Sequence, residues 1–379
     1  MRDAVIVGAV RTPIGKRNGA YADVHPVDLS AHTLRALVDR VGLDPAAVDD
    51  VVWGCVQQVG AQALNVGRLA VLAAGWPETV PGTTVDRQCG SSQQAVHFAA
   101  AAVVSGQADV VVAGGVESMS IVPLGATSVE EYGRPYGPMF AARYPQTPDQ
   151  GIGAEMVAEK WGLSRAQLDE YALRSHERSV AAIQSGAFDS QYALVPGTGL
   201  TTDQGVRPDT SLEVLSSLRP AFKEDGVIHA GNSSQISDGA GALLITTSEK
   251  AKELGLRPLV RLRSLAVAGD DPTIMLTAPI PATAKALARA GLSIGDIGAY
   301  EINEAFASVP LAWLAETQAD PERLNPLGGA ISVGHPLGGS GAALMTRLVH
   351  SMVDNDIQYG LQSMCEGGGM ANATVLERV

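Results

Sequence analysis

Hydrophobic and polar positions alternate with two different periods along the first 115 residues of the chain. Ala4 to Val10 is a short apolar run rich in β-branched residues, whereas residues 28–41 carry apolar side chains at helical spacing. The first pattern predicts a buried strand, and the second predicts a helix with one buried face. Further elements follow, with strands predicted at 51–56, 83–86 and 109–113 and helices at 65–74 and 90–105. Alternating strands and helices are typical of an α/β protein with a parallel or mixed sheet.

The pattern changes between residues 120 and 237, where proline and glycine become frequent and helices are predicted only at 154–161 and 165–185. A segment of this length is too long to be a plain connection between two elements. Insertions of this kind usually carry contacts to ligands. We therefore expect an inserted loop domain that takes part in binding.

From about residue 258 the order of elements in the first part of the chain returns. A helix that ends at Gly42-Leu43 and a strand at 48–55 correspond to a helix that ends at Gly291-Leu292 and a strand at 297–304. Self-similarity of this kind is the signature of a duplication. Paired α/β halves would bring together the loops at the carboxyl ends of their strands, where such folds bind ligands.

A second correspondence supports the duplication. Residues 88–115 and 334–369 each contain a turn, a helix of small residues and a strand that ends in glycines. We expect three regions: a first half at 1–119, an inserted loop domain at 120–248 that completes that half, and a second half at 249–379.

Composition and charge limit the possible partners. The chain has 27 basic and 40 acidic side chains, a formal net charge of -13. Such a chain repels nucleic acid on average, and it binds an anionic ligand only through a local basic patch or helix N-termini. Neither a membrane-spanning apolar run nor a signal peptide is recognisable. We therefore expect a cytoplasmic protein with no nucleic-acid or membrane partner.

The cysteines point to one candidate nucleophile. Cys55, Cys89 and Cys365 lie far apart without CxxC spacing, so neither disulfides nor a zinc site is expected. Cys89 stands between a predicted strand and an alanine-rich helix, where the helix dipole favours the reactive thiolate and small neighbours admit a substrate. An isolated intracellular cysteine is more often a buried core residue, so this hypothesis depends on the remaining motifs.

His335 is the candidate base. It lies in the glycine-rich segment 325–341, where Pro336 keeps it out of helical backbone angles and the glycines permit close approach of backbone or ligand. The other histidines lack such a setting. An imidazole in this position suits the activation of a thiol.

Two further segments carry candidate chemistry. Cys365 follows a strand predicted at 358–363 and precedes three glycines, whose backbone N–H groups suit an oxyanion hole, although the segment could also be a tight turn. Asn303 and Glu304 follow a strand predicted at 299–302, where the simplest interpretation of Asn303 is a helix N-cap. With a thiol and an imidazole nearby, Cys365 becomes a candidate proton shuttle, and Asn303 becomes a candidate for positioning a water or an oxyanion.

These segments together resemble the thiolase family. The resemblance covers essentially the whole chain through six blocks, which lie around Cys89 and at 114–120, 229–240, 303–306, 334–336 and 365–369. It implies a thiolase-like α/β fold with two duplicated βαβαβαββ halves. These would stack in five layers, α-β-α-β-α, with an inserted loop domain.

The resemblance also implies a CoA-dependent acyltransferase. His335 would deprotonate Cys89, Cys89 would attack a CoA thioester to form an acyl-enzyme, and Cys365 would act as acid or base at the methyl carbon of acetyl-CoA. One oxyanion hole would use the N–H groups of Cys89 and Gly367, and the other His335 with a water held by Asn303. Acyl-CoA and CoA are the implied substrates, with no permanent cofactor or metal and with a homodimer or a homotetramer, a dimer of dimers, as the assembly.

The resemblance assigns six residues to the CoA and acyl pocket: Arg207, Ala230, Ser234, Ile236, Met275 and Phe306. Ser234 would meet the pantetheine. Arg207 could equally be a solvated side chain, and Met275 and Phe306 could be core residues. Short-chain biosynthetic thiolases carry a His-Met pair where this chain has Gln150-Gly151, which predicts a more open pocket and a broader or longer range of acyl chains.

Other functions fit the sequence less well. A decarboxylating β-ketoacyl synthase lacks a second catalytic cysteine, so Cys365 disfavours it. A non-catalytic acyl-CoA-binding protein would be indicated by loss of Cys89, His335 or Cys365. Residues 7–10 open no GxGxxG motif for a dehydrogenase, and 338–342 lacks the final glycine of a hydrolase elbow.

Overall fold

The computed structural model describes residues 2–379. The strands are β1 (Val5–Arg11), β2 (Gly15–Lys16), β3 (Asp50–Gly54), β4 (Thr83–Val85), β5 (Val110–Ser118), β6 (Ser237–Thr246), β7 (Val260–Gly269), β8 (Ala299–Ile302), β9 (Tyr359–Glu366) and β10 (Met370–Arg378). The helices are α1 (Pro26–Val41), α2 (Val66–Ala73), α3 (Ser91–Ser105), α4 (Pro138–Arg143), α5 (Gln150–Lys160), α6 (Arg165–Gln184), α7 (Leu212–Ser217), α8 (Ser248–Glu253), α9 (Pro279–Ala290), α10 (Ser308–Thr317), α11 (Ala330–Val333) and α12 (Leu337–Asp354).

One ten-stranded sheet contains two halves with the same strand order. Along the sheet the strands run β4-β3-β5-β6-β1-β7-β10-β9-β8, and β2 pairs with β6. β3 and β5 are parallel, while β5, β6 and β1 are successively antiparallel. β8, β9, β10 and β7 repeat that pattern in the second half. The predicted duplication is confirmed at the level of topology.

Helices cover and separate the two halves of the sheet. α1 and α2 pack on the outer face of the first half, and α9 packs on β7 and β10 with α10 beside it. α3 and α12 lie between the halves and pack against each other and against strands of both. Since α3 and α12 are buried between two sheet surfaces, they carry small and apolar residues rather than a single apolar stripe. The five layers and the α/β class predicted from the sequence are confirmed.

The two central helices approach each other closely because their facing positions are small. A Cβ on Gly341 of α12 would lie 2.5 Å from the backbone nitrogen of Gln93 in α3, and a Cβ on Gly338 would lie 2.6 Å from Cα of Cys55. Protein interiors are packed too densely to absorb such contacts without a shift of the backbone. The glycine-rich sequence therefore lets the N-terminal ends of α3 and α12 meet.

The inserted segment connects β5 to its antiparallel neighbour β6 and contains α4 to α7. Arg11 at the end of β1 forms a fully buried ion pair with Asp203 of the insertion, at 2.7 Å. The hydroxyl of Tyr192 donates to the same carboxylate at 3.0 Å. These contacts fasten the insertion to the first half. The division at 1–119, 120–248 and 249–379 stays a prediction, and β6, within the second range, lies in the sheet between β5 and β1.

The predicted elements are present, with two differences near the site. α5 begins at Gln150 instead of residue 154, because Asp149 accepts a hydrogen bond from the N–H of Ile152 at 2.9 Å and caps the helix. β9 extends to Glu366 because its pairing with β10 continues that far, so Cys365 lies inside a strand and not in a turn. Across residues 2–379, no helix has both the length and the apolar character needed to cross a bilayer.

Candidate active site

Cys89 lies in a tight turn between β4 and α3, two residues before the helix begins. Asp86 accepts a hydrogen bond from the backbone N–H of Gln88 at 2.7 Å, and the Ser91 hydroxyl donates to the Gln88 carbonyl at 2.6 Å. The same hydroxyl accepts from the N–H of Arg87 at 2.9 Å. These bonds hold Gln88 at a φ of 48°, in the left-handed region that non-glycine residues rarely adopt. The turn thereby fixes the direction of the Cys89 side chain.

Burial dominates the ionisation of Cys89. The side chain is 3 % exposed, and burial, together with the charges that Cys365 and Glu366 would carry, raises the pKa of the thiol well above its usual range. Gln150 acts in the opposite direction, with Nε2 at 4.0 Å from the sulfur. The helix N-terminus predicted a favoured thiolate, but the loss of hydration outweighs the dipole. Cys89 is a thiol at rest and requires a base.

His335 has the tautomer and the charge of a base. Its Nδ1 lies 2.7 Å from the hydroxyl of Ser340, and that hydroxyl donates its hydrogen to the carbonyl of Pro336 at 2.9 Å. Ser340 must therefore accept from His335, which places the imidazole proton on Nδ1. Nε2 has no hydrogen-bond partner within residues 2–379, and burial lowers the pKa of His335 to about 4. At neutral pH the ring is neutral, with a free electron pair on Nε2.

Cys89 and His335 occupy the same corner of the molecule. Leu337, two residues after His335, packs with Cys89 in one buried cluster. Gln150, which contacts the sulfur of Cys89, lines the same cavity as His335 and Leu337. The structure thus places the candidate nucleophile of the first half and the candidate base of the second in one region.

Cys365 and Asn303 are in direct contact. Nδ2 of Asn303 donates to the sulfur of Cys365 at 3.6 Å, and the backbone N–H of Ala305 also donates to that sulfur. Burial raises the pKa of Cys365 to about 11, so the thiol keeps its proton at neutral pH. Ionisation of Cys365 opposes that of Cys89, as expected for two neighbouring thiols.

Gly367 lies beside the nucleophile turn. A Cβ on Gly367 would lie 3.0 Å from Oε1 of Gln88, the residue before Cys89. The hairpin between β9 and β10 therefore carries Cys365 and Gly367 to the turn of Cys89. All five predicted catalytic residues converge, namely Cys89, Asn303, His335, Cys365 and Gly367.

A cavity of about 1140 Å³ has His335, one of these five residues, in its lining. Five of the six residues assigned to the CoA and acyl pocket line it: Arg207, Ala230, Ser234, Ile236 and Phe306. Cys89 and Cys365 are 3 % and 1 % exposed and are not among the residues that line the cavity. His335 lines it, as does Gln150, which contacts the sulfur of Cys89.

Met275 is placed elsewhere. It is 4 % exposed and packs in the core of the second half next to Ile274, close to Gly153 of α5. Met275 is absent from the residues that line the cavity. Its assignment to the acyl pocket stays a prediction, and the structure supports the core alternative.

The space at Gly151 is filled by an aromatic ring. A Cβ on Gly151 would collide with the ring of Phe222, which stacks edge-on against Phe306 at 5.8 Å between ring centroids. The pocket is therefore not opened at residue 151, because Phe222 occupies the place of a side chain. Gln150, the other member of the pair, points to Cys89 instead.

Sequence reasoning missed several residues of the site. Lys16 and Arg17 line the cavity, and the only signal for them is a basic pair after β1 in an acidic chain. Ser340 and His335 lie five residues apart around the start of α12, so their contact could have been proposed from the sequence. A glycine-rich segment, however, does not show which way its side chains point.

Glu304 supports the site from outside the cavity. Its carboxylate accepts hydrogen bonds from Tyr171 at 2.9 Å, Ser175 at 2.7 Å and the N–H of Ile331 at 3.1 Å. Tyr171 and Ser175 belong to α6, and Ile331 belongs to α11, the short helix that leads to His335. This carboxylate therefore ties the insertion to the segment that carries the base.

The part of the chain that the structure describes contains no group of three or more histidine, cysteine or acidic side chains with the geometry of a metal site.

Comparison with known proteins identifies the family. The chain matches the thiolase N-terminal domain over residues 4–249 and the thiolase C-terminal domain over residues 256–378. The steroid 3-ketoacyl-CoA thiolase FadA6 of Mycobacterium tuberculosis is 50% identical over 100% of this chain and 95% of its own length. A 3-ketoacyl-CoA thiolase of Pseudoalteromonas translucida is 44% identical over 100% of both chains.

The same family appears among solved structures. The crystal structure of the Bacillus anthracis acetyl-CoA acetyltransferase has a TM-score of 0.92 and 39% identity, covering 100% of this chain and 99% of that one. The matches favour the thiolase prediction over the decarboxylating synthase and the non-catalytic binding protein. The two domains, matched in order, and the relatives, matched over 95% or more of their lengths, show that the chain belongs to the thiolase family of acyltransferases.

Proposed function

We propose that this thiolase cleaves 3-ketoacyl-CoA into acyl-CoA and acetyl-CoA, and runs the reverse condensation, through an acyl group carried on Cys89. The observation that supports this most is that Nε2 of His335 has no partner among residues 2–379, and that His335 shares the cavity wall with Gln150, which contacts the buried Cys89 thiol. A second thiol, Cys365, lies on the neighbouring hairpin. A nucleophile that is protonated at rest and an oriented neutral base are the parts that covalent catalysis needs.

In thiolysis, Nε2 of His335 takes the proton of Cys89, and the sulfur attacks the 3-keto carbon. The bond between C2 and C3 breaks, the acyl group stays on Cys89, and acetyl-CoA leaves as a carbanion. Cys365 gives its proton to that carbanion, a role that suits a thiol whose pKa is about 11. The thiol of a second CoA then gives its proton to the Cys365 thiolate and attacks the acyl-enzyme. Acyl-CoA leaves, and His335 returns its proton to the sulfur of Cys89.

Developing negative charge on oxygen requires donors at both steps. The N–H groups of Cys89 and Gly367 are proposed for one oxygen, supported by the contact between Gly367 and the turn of Cys89. Asn303 is proposed to hold a water for the other. Its Oδ1 is buried and makes no hydrogen bond to any residue from 2 to 379.

CoA is an anion, and the chain has a formal net charge of -13, so its phosphates need a local basic patch. Lys16, Arg17 and Arg207 line the cavity and provide one. Ser234 and Phe306 line the same cavity and offer a hydroxyl and an apolar ring to the pantetheine arm.

We further propose a broad range of acyl chains, including bulky ones, in a cytoplasmic homodimer or homotetramer. The support for the acyl range is the cavity of about 1140 Å³ and the name of the Mycobacterium tuberculosis relative, a steroid 3-ketoacyl-CoA thiolase. Steady-state thiolysis of acetoacetyl-CoA and of longer 3-ketoacyl-CoA esters tests it, and strict preference for acetoacetyl-CoA would refute it.

Intact-protein mass after mixing with acetyl-CoA tests the acyl-enzyme. The wild type should gain an acetyl group, and Cys89→Ala should not. Cys55→Ala is the matched control, because Cys55 is also buried but contacts Glu117 instead of the cavity. Acetylation of Cys89→Ala at the wild-type level would overturn the proposal.

A further inference from the structure

Glu366 is a buried carboxyl at the reaction centre for which the mechanism above has no role. It is the last residue of β9, next to Cys365, and it is 0 % exposed. Its side chain presses against Gly90 at the start of α3, so closely that a Cβ on Gly90 would collide with Oε1. The carboxyl therefore lies behind Cys365 and against the turn of Cys89.

Arg87 and the backbone N–H of Asn372 offset a charge on Glu366 only in part. Neither carboxyl oxygen makes a hydrogen bond to any residue between 2 and 379, and the N–H of Asn372 on β10 approaches without reaching hydrogen-bond geometry. An ionised carboxylate buried without donors is strongly disfavoured, so the group is kept neutral.

The groups that face Glu366 come from three elements. The turn before α3 contributes Asp86, Arg87 and Cys89, β9 contributes Cys365, and β10 contributes Asn372. The pKa of Glu366 is raised to about 8, because burial and the charge of Asp86 together outweigh the opposing effects of Arg87 and the N–H of Asn372. Neither carboxyl oxygen of Glu366 is bonded to Arg87, which directs Nη1 to the sulfur of Met370 at 3.9 Å.

A charge at this place acts on both sulfurs. Ionised Glu366 raises the pKa of Cys89 and that of Cys365, because an anion nearby disfavours a second one. We propose that Glu366 is a positioning residue that must be a neutral carboxylic acid during turnover, and that its ionisation suppresses formation of the Cys89 thiolate. The proposal rests on the proposed function only in taking Cys89 as the reacting thiol.

The test measures the alkylation of Cys89 by iodoacetamide from pH 6.5 to 9.5, followed on the peptide that contains Cys89, in the wild type and in Glu366→Gln. Gln keeps the shape and removes the ionisation. We expect equal alkylation rates near pH 7. The ratio of the alkylation rate of Glu366→Gln to that of the wild type should rise to about tenfold by pH 9, the effect of about one pKa unit on the thiol. A ratio that stays constant across the range would overturn the proposal.

Two further variants make the result specific. Glu301→Gln is the matched control, because Glu301 is also buried and has its pKa raised to about 7, but it faces Arg347 and Arg11. The ratio of its alkylation rate to that of the wild type should not change with pH. If Glu366→Gln does not fold, Glu366→Met carries the same expectation. Alkylation needs no acyl transfer, so failure of the proposed function would appear in the acetylation experiment and not here.

Discussion

The two halves of the molecule place different chemistry at the same position of the fold. Cys89 stands two residues before α3 in the first half, and His335 stands two residues before α12 in the second. The two helices pack against each other at their N-terminal ends, with the N–H of Ala342 donating to the hydroxyl of Ser92 at 2.9 Å. Equivalent positions of the two halves thus hold the proposed nucleophile and its proposed base.

A second pair of residues differs in its partners. Glu117, near the end of β5, accepts hydrogen bonds from the N–H groups of Val56 and Gln57 at 3.0 Å and from that of Gly338 in α12 at 2.8 Å. Glu366, at the end of β9, lies against the start of α3 but has no such donors among residues 2–379. The Glu117 carboxylate therefore joins the two halves through hydrogen bonds, whereas the ionisation of Glu366 depends on the charged groups around it.

Replacing His335 has the largest expected effect. His335→Ala removes the only imidazole in the cavity wall, and loss of a general base lowers rates by about 10²- to 10⁴-fold. Steady-state thiolysis measures the change. His350→Ala, within α12 but bonded to Ala9 and Ser190, is the control and should stay near wild type. Equal activity of His335→Ala and His350→Ala would contradict the proposal that the second half supplies the base through His335.

Replacing Glu117 should affect stability more than chemistry. Glu117→Ala leaves several buried donors without an acceptor, which costs about 3 kcal/mol or more. Urea unfolding should show that loss in the free energy of unfolding, whereas Glu366→Gln should be close to wild type or more stable. A destabilisation below about 0.5 kcal/mol for Glu117→Ala would mean that this carboxylate does not join the halves.

Replacing Ser340 tests how the base is oriented. Ser340→Ala removes the acceptor at Nδ1 of His335, so the ring can turn and exchange tautomers. We expect kcat to fall about tenfold, equivalent to about 1.4 kcal/mol, with KM unchanged. A rise in KM alone would show that Ser340 serves the shape of the pocket instead.

Replacing Arg17 has the smallest expected effect. Arg17→Ala removes one charge from the basic patch and should raise KM for CoA by about fivefold, or about 1 kcal/mol, with a weaker dependence on salt. Lys252→Ala, on the distant helix α8, is the control. An unchanged KM would remove Arg17 from the proposed phosphate contacts.

Local patterns predicted the strands, the helices and the duplication, because each depends on the spacing of apolar residues within a short window. The blocks around Cys89, Asn303, His335 and Cys365 also identified residues that the structure brings together. Contacts between distant segments were not predictable in the same way. The bond from Gly338 to Glu117 joins residues 221 positions apart, and no local pattern encodes it.

The direction of the pKa shifts could not be predicted from local sequence patterns either. The start of a helix predicted a reactive thiolate at Cys89, but the burial that raises the pKa of this thiol comes from both halves together. The ring of Phe222 over Gly151 is a second case, since packing between separate segments decided whether a missing side chain left free space.

The release of CoA in the first turnover with acetyl-CoA tests the central claim, that Cys89 of one half and His335 of the other form the acylating pair. Wild type and Cys365→Ala should release one equivalent of CoA per subunit in a rapid burst, while His335→Ala should be slower by about 10²-fold or more and Cys89→Ala should show no burst. A burst that survives in Cys89→Ala, or one that disappears in Cys365→Ala but remains in His335→Ala, would contradict the account.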